Sequence, residues 1–186
     1  MSLANFLTFL RVILAPVFFA VYFLPIGDPR IAVALLWIIF VVSEITDMFD
    51  GMAARALNQS SDFGRLFDPF ADTLMQLSCF LCFVMDKMFP AALYLVVLYR
   101  EFGILFIRNL MLRKGISLGA RISGKIKTVS YIAAAAVALL HNSLIRLGAA
   151  EALRPFLTAV VLGIFILSVL LSVISFFDYL MVYRKA

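Results

Sequence analysis

The chain has 186 residues, of which 65% are hydrophobic and 14% aromatic, and its mean hydropathy is +1.07. Soluble domains are only about half apolar, so this composition excludes a soluble globular protein and predicts an integral membrane protein with a single domain over residues 1–186. The net charge of +5 comes from 16 basic and 11 acidic residues. This balance favours anionic lipid headgroups and phosphorylated substrates as partners, and no continuous basic surface for nucleic acid is evident.

Six apolar segments are each long enough to cross a bilayer, which takes about 20 residues. Lipid offers no partner for an unpaired backbone group, so each segment is predicted to be a helix. The predicted fold is therefore all-α, an integral membrane bundle of six transmembrane helices over residues 4–24, 31–52, 65–86, 90–112, 122–141 and 155–182.

Basic residues are distributed unevenly between the two ends of these segments. Four lie at one set of ends, namely Arg30, Lys87, Arg146 and Arg154. Nine lie at the set shared with both termini, namely Arg55, Arg65, Arg113, Lys114, Arg121, Lys125, Lys127, Arg184 and Lys185. Because cytoplasmic ends carry the excess of basic residues, both termini are predicted to face the cytoplasm from the inner membrane of the cell.

Five carboxylates occur within one short stretch, residues 47–72, and four of them form two pairs at helical spacing. Asp47 and Asp50 are three residues apart and share one helix face, while Asp68 and Asp72, four apart, share a face of the next helix. A charge inside an apolar segment costs about 3 kcal/mol unless something uses it. The spacing predicts that the two acidic pairs converge across a pair of helices.

Converging carboxylates repel one another, and hard divalent cations relieve that repulsion through oxygen ligands. Two such ions form a clamp suited to phosphoryl transfer, so the acids predict a site for two Mg²⁺ ions, or Mn²⁺ in their place. Gly51 and Gly64 would let a ligand approach the backbone, and Arg55 offers a planar fork for phosphate oxygens. The expected ligand is a nucleotide or a diphosphate.

Further polar residues interrupt the apolar helices 1, 4 and 5. Asn5, Thr8 and Arg11 recur at three-residue intervals in helix 1, where they could also snorkel to headgroups. Arg100 and Glu101 in helix 4 could form a purely structural pair. Helix 4 and the region around the start of helix 5 also contain basic residues, namely Arg108, Arg121, Lys125 and Lys127.

The only charged residue in predicted helix 6 is Asp178, near its end. This helix is predicted to serve packing or dimerisation.

The acidic stretch matches D-x2-D-G-x2-A-R-x8-G-x3-D-x3-D at every specified position, and in this it resembles the CDP-alcohol phosphotransferases. The resemblance implies transfer of a phosphatidyl group from CDP-diacylglycerol to an alcohol, with release of CMP. It also implies that Asp47, Asp50 and Asp68 bind metal, and that Asp72 activates the acceptor hydroxyl and shares the second metal. The nucleotide diphosphate would be held by Gly51, Arg55 and Gly64.

The polar residues of helices 1, 4 and 5 are similar to those of the phosphatidylglycerophosphate synthase branch of that family. The likeness rests on N-x-x-T-x-x-R, on R-E-F and on G-K-x-K-T. It implies nucleotide binding by Asn5 and Thr8, sn-glycerol 3-phosphate as acceptor, and a homodimer. The acceptor phosphate would be bound by Arg108, Arg121, Lys125 and Lys127.

Two departures from the branch pattern leave the acceptor open. Thr73 stands where a Lys commonly follows the fourth Asp, and Tyr131 stands where a Gln is common, so inositol phosphate or an amino alcohol remain alternatives. Intramembrane prenyltransferases also use D-x3-D, but they carry a second acidic motif that this chain lacks. A cation transporter has no need for two glycines and an Arg at set offsets, so the pattern favours the enzyme.

Overall fold

The computed structural model describes residues 3–57, 62–115, 122–149 and 151–185. All of its regular structure is helical, and a single turn of 3₁₀ helix, Glu151–Leu153, precedes the last long helix. The six long helices are α1 (Leu3–Phe23), α2 (Pro29–Leu57), α3 (Asp62–Met85), α4 (Ala91–Arg113), α5 (Ile122–Arg146) and α6 (Arg154–Lys185). The prediction of an all-α fold with six long helices is confirmed.

Five of these helices, within the described residues, are long and apolar enough to cross a membrane. The exception is α4, which the sequence also predicted to span. It is long enough, but it carries charges at Arg100, Glu101, Arg108 and Arg113, which lower its apolar character. The protein is therefore a multi-pass membrane protein whose fourth helix is distinguished by its charge.

The chain divides into two compact units, Met1–Cys82 and Phe83–Ala186. The first contains α1, α2 and most of α3, and the second contains α4, α5 and α6. The organisation of residues 1–186 as one functional domain stays a prediction.

In the first unit, α1 packs along α2, and the interior is built from apolar side chains of all three helices. Ala15, Phe18, Leu36, Ala71 and Phe80 are all buried there. The helix α2 continues five residues beyond the predicted end of its span at residue 52. Gly51 and Arg55 therefore belong to a helix rather than to a connecting loop.

In the second unit, α6 packs against both α4 and α5. The rings of Phe89 and Phe165 stack with their centroids 3.7 Å apart. Helices α4 and α6 approach closely at Gly103, where an added Cβ would lie 3.0 Å from the ring of Phe176. The helix α5 ends before Gly148, whose φ of 66° is the left-handed conformation that glycine adopts without strain.

Candidate active site

The side chain of Arg11 lies at the centre of the acidic cluster. It projects from α1 and is buried, and its Nη1 donates to Oδ1 of Asp47 on α2 over 2.7 Å. The same nitrogen also donates to Oδ1 of Asp72 on α3. One guanidinium therefore joins one acid from each predicted pair, so the expected convergence across α2 and α3 is met for these two residues.

Thr8 lies one turn before Arg11 on α1 and contacts a third acid. Its hydroxyl donates to Oδ1 of Asp68 over 2.5 Å, and Thr8 itself is fully buried. All three acids therefore contact α1. They do so through Thr8 and Arg11, which are three residues apart in that helix. Snorkelling to headgroups does not describe Thr8 or Arg11, because both side chains are directed to acids of other helices.

Exposure separates the cation of this cluster from its acids. The side chain of Arg11 is 1% exposed, whereas those of Asp47 and Asp72 are 46% and 45% exposed. A buried guanidinium holds the negative charges together, and roughly half of each of these two carboxylates stays open. A cation or a phosphorylated ligand can therefore approach the acids without displacing a protein core.

Not every predicted site residue can be placed. Gly64 is buried in the first turn of α3, and the backbone of Gly51 lies in α2. The side chains of Asn5, Asp50 and Arg55 lie outside the described part of the structure. Among the side chains that are described, no group of three or more His, Cys, Asp or Glu residues is close enough to hold a metal ion.

Helix α2 carries further polar residues ahead of Asp47. Thr46 is buried, and its hydroxyl donates a hydrogen bond that is shared between the carbonyl oxygens of Val42 and Ser43, at 2.9 and 2.8 Å. Glu44 is half-buried one turn before Asp47 and stands on the same helix face. The sequence motif does not include Glu44, although an acid in an apolar span is itself a signal of a polar environment.

The second unit contains a separate charged cluster, formed by Arg100, Glu101 and Lys127. Oε1 of Glu101 accepts from Nη1 of Arg100 and from Nζ of Lys127, each over 2.8 Å. All three residues are buried. Nζ of Lys127 also lies 4.2 Å from the ring centroid of Tyr131, within range of a cation–π interaction. The structural pair expected for Arg100 and Glu101 is present, and Lys127 completes it.

Helix α6 supplies further partners of this cluster. Arg100 donates through Nε to the carbonyl oxygen of Ser172, over 3.2 Å, and through Nη2 to Oγ of Ser175, over 3.0 Å. The hydroxyl of Tyr131 donates to Oγ of Ser172 over 2.5 Å. Further along, Ser168 is buried and donates to the carbonyl oxygen of Ser130. The helix expected to serve packing therefore also satisfies buried polar groups.

The four residues predicted to bind the acceptor phosphate have different surroundings. Lys127 is buried against Glu101, Lys125 is exposed, and Arg108 is half-buried beside Tyr179 of α6. Arg121 lies outside the described residues. Binding of the acceptor phosphate by all four stays a prediction. Of these residues, Lys127 forms an ion pair within the protein, with Glu101.

Two features were not identified from the sequence. The contact of Arg11 with the acids was missed because Arg11 and Asp72 are 61 residues apart, and only the packing of helices joins them. The buried polar face of α6 had a weak signal, in that Ser168, Ser172 and Ser175 recur at helical spacing within an apolar segment.

A model of the CDP-alcohol phosphatidyltransferase family matches residues 1–174 of the chain. A protein of Treponema pallidum named CDP-diacylglycerol–glycerol-3-phosphate 3-phosphatidyltransferase is 36% identical over 97% of this chain and 88% of its own length. The Bacillus subtilis protein of the same name is 35% identical over 76% of this chain and 78% of its own. A probable phosphatidylglycerophosphate synthase of Mycobacterium tuberculosis is 35% identical over 74% of this chain and 65% of its own.

Proposed function

We propose, since this chain belongs to the CDP-alcohol phosphatidyltransferase family, that its acceptor alcohol is sn-glycerol 3-phosphate. The reaction would convert CDP-diacylglycerol and this acceptor into phosphatidylglycerophosphate and CMP. Relatives at about 35% identity that carry this activity in their names support the choice of acceptor.

The observation that carries the proposal is the gathering of Asp47, Asp68 and Asp72 around Thr8 and Arg11 of α1. These residues come from three helices, and the two that are farthest apart in the sequence, Thr8 and Asp72, are separated by 64 positions. Such a convergence of half-open acids inside a membrane protein is expected where a charged ligand is bound.

We propose divalent metal as the ligand of these acids. Carboxylate oxygens are the preferred ligands of Mg²⁺, and the guanidinium of Arg11 already marks a place for positive charge between Asp47 and Asp72. We propose that Asp47, Asp50, Asp68 and Asp72 hold two ions. When bound, the ions would supply positive charge to the diphosphate of the donor and favour displacement at phosphorus.

The residues of the chain would do the rest of the chemistry. The hydroxyl oxygen of the acceptor forms a bond to the β-phosphorus of CDP-diacylglycerol, and the bond from that phosphorus to the CMP oxygen breaks. Asp72 receives the hydroxyl proton as the new bond forms, and CMP leaves with the bridging oxygen. By the family pattern, the nucleotide would be oriented by Asn5, Thr8, Gly51, Arg55 and Gly64.

For the acceptor, Arg108, Arg121 and Lys125 are proposed to bind the phosphate through charge-assisted hydrogen bonds. Lys127 was predicted in the same set. Because its amine contacts Glu101, we propose that Lys127 acts on this region through its ion pair.

The decisive assay supplies the purified protein and Mg²⁺ with CDP-diacylglycerol and one alcohol at a time. The panel contains sn-glycerol 3-phosphate, inositol phosphate and an amino alcohol, and the readouts are CMP release and the mass of the lipid product. We expect product with sn-glycerol 3-phosphate and its loss with a chelator. Product with a different alcohol alone would replace the proposed acceptor, and the absence of CMP release with every alcohol would contradict the catalytic proposal.

We also propose that the acids face the cytoplasm and that the protein forms the homodimer implied by the family resemblance. The orientation is testable with single cysteines at Lys114 and Ala149, which are both exposed, since the native Cys79 and Cys82 are buried. A membrane-impermeant maleimide should label Ala149→Cys in intact cells and Lys114→Cys only after permeabilisation. Labelling of both from outside would contradict the orientation, and cross-linking in the membrane would test the dimer.

A further inference from the structure

The buried polar face of α6 ends at Tyr179, and we infer that Tyr179 is a positioning residue that orients Arg108 toward the phosphate of the acceptor. This inference rests on the proposed function, because it takes Arg108 as a ligand of that phosphate. Tyr179 lies beyond residue 174, where the match to the family model ends. Its role therefore rests on the contacts of this chain.

Tyr179 is buried and contacts Arg108 in two ways. Nη2 of Arg108 lies 3.4 Å from the phenolic oxygen, to which it donates. The Cζ atom of Arg108 lies 5.7 Å from the centroid of the same ring, within the range of a cation–π interaction. Because the guanidinium is planar, contacts to the hydroxyl and to the ring together restrict the direction in which its other donors point.

Arg108 retains a donor for a ligand after these contacts are made. Its Nε is buried and has no hydrogen-bond partner among the residues that the structure describes. Buried polar groups are nearly always hydrogen-bonded, so a donor of this kind needs an explanation. Phosphate and carboxylate oxygens both match the edge of a guanidinium, and the proposed acceptor carries a phosphate. The side chain is thus held by Tyr179 with a donor still available to an anion.

Gly124 leaves the space that Tyr179 occupies. A Cβ atom at Gly124 would lie 3.1 Å from the hydroxyl oxygen of Tyr179, which is closer than side chains normally pack. The neighbouring Asp178 accepts a hydrogen bond of 2.5 Å from the hydroxyl of Ser123. Consecutive residues of α6 therefore pack against the first turn of α5, and this packing holds the buried ring beside Arg108.

Tyr179 consequently lies between the two segments of this unit that carry the acceptor set. On one side is Arg108 of α4, and on the other is Gly124, which immediately precedes Lys125 in α5. The ring lies beside both segments, so its hydroxyl should influence the affinity for the acceptor and leave the chemistry at the donor unchanged.

The first test is Tyr179→Phe, which keeps the ring and removes the hydroxyl. We expect the KM for sn-glycerol 3-phosphate to rise about threefold to tenfold, as for loss of one hydrogen bond of ordinary strength. The kcat and the KM for CDP-diacylglycerol should not change. The matched control is Tyr183→Phe, the same change one turn later, where the ring faces Nζ of Lys114 at 5.2 Å. This control should leave both KM values unchanged.

The second test combines Tyr179→Phe with Arg108→Ala. If the tyrosine acts through Arg108, the double variant should be no worse than Arg108→Ala alone, whereas independent roles would make the effects add. Gly124→Ala, which crowds the hydroxyl, should raise the same KM. A shared change in Tm and kcat across all these variants, with additive effects, would mean a purely structural role and would overturn the inference.

The outcome also separates this inference from the proposed function. If the wild-type protein uses sn-glycerol 3-phosphate and Arg108→Ala raises its KM while Tyr179→Phe does not, only the positioning role is overturned. If the wild-type protein forms no lipid from sn-glycerol 3-phosphate, the proposed function fails first, and the role of Tyr179 fails with it.

Discussion

The two charged clusters of this protein differ in how much of their charge stays open. In the first unit, Arg11 is buried while the carboxylates of Asp47 and Asp72 are about half exposed. In the second unit, Arg100, Glu101 and Lys127 are all buried, and both cations contact the carboxylate of Glu101. Both clusters lie on helices of a membrane protein, but of the two it is the first whose carboxylates are accessible to a ligand.

This difference shows that a charge within a membrane helix has two distinct uses. Where opposite charges satisfy each other in the interior, they join helices, and removing one partner leaves a buried charge without compensation. Where acids outnumber the buried cation and remain accessible, they can bind a ligand. The exposure of the partners, rather than the presence of charge, distinguishes the two cases.

The cluster of Arg11 with its half-exposed acids is called the open cluster below, and the buried cluster of the second unit is called the closed cluster. The largest effect is expected at Asp72 of the open cluster. Asp72→Asn keeps the size of the side chain and an oxygen ligand but removes the proposed base, so kcat should fall about 10²- to 10⁴-fold. Binding of CDP-diacylglycerol should be largely retained, whereas Asp50→Asn should weaken metal-dependent nucleotide binding as well. Turnover and binding of radiolabelled substrate measure the two effects.

The matched control for that variant is Asp86→Asn, in the second unit. Asp86 accepts a hydrogen bond from Asn142 over 2.9 Å and belongs to neither charged cluster. It should keep near-normal turnover. If Asp72→Asn also retained near-normal kcat, the base assignment would be wrong, and Asp68 would become the next candidate.

Substitutions in the closed cluster, Arg100, Glu101 and Lys127, should lower the stability of the protein. Glu101→Gln leaves Arg100 and Lys127 as buried cations without a counter-charge, which should cost about 3–5 kcal/mol of unfolding free energy. Thermal unfolding in detergent measures the loss, and the double variant Glu101→Gln/Lys127→Met should recover part of it. Glu151→Gln, at an exposed acid, is the control. A Tm for Glu101→Gln equal to that of the control would contradict the structural role.

A smaller effect is expected when Arg11 is removed from the open cluster. Arg11→Ala leaves Asp47 and Asp72 without their shared cation, and we expect a loss of about 1–2 kcal/mol, limited by the exposure of the acids. Mg²⁺ should raise the Tm of this variant more than that of the wild type, since the ion replaces the missing charge. Arg30→Ala, an exposed arginine, is the control. An equal response to Mg²⁺ in all three proteins would argue against shared compensation.

The smallest effect sharpens the comparison within the second unit. Lys125 is exposed and Lys127 is buried against Glu101, although they are two residues apart. Lys125→Ala should raise the KM for sn-glycerol 3-phosphate about threefold to tenfold, more than that for CDP-diacylglycerol. Lys127→Ala should instead lower the Tm. A raised KM in Lys127→Ala at unchanged Tm would return that residue to the acceptor set.

Much of the fold could be predicted from the sequence, because lipid imposes a length and a composition on each helix. The six helices were found with ends mostly within a few residues of those observed. The largest differences were at the end of α2, at residue 57, and at the end of α5, at residue 146. Both helices extend past their most apolar stretch, which hydropathy alone does not reveal.

The sequence by itself also determined the family, because the acids, glycines and Arg55 stand at fixed spacings within one continuous stretch. The tertiary structure alone decided which charges are open and which are closed. Arg11 and Asp72 are 61 residues apart, and Arg100 and Ser175 are 75 apart. Contacts of this kind arise when separate helices pack, so no local pattern encodes them. The same is true of Tyr179, whose neighbours Arg108 and Gly124 lie on two other helices.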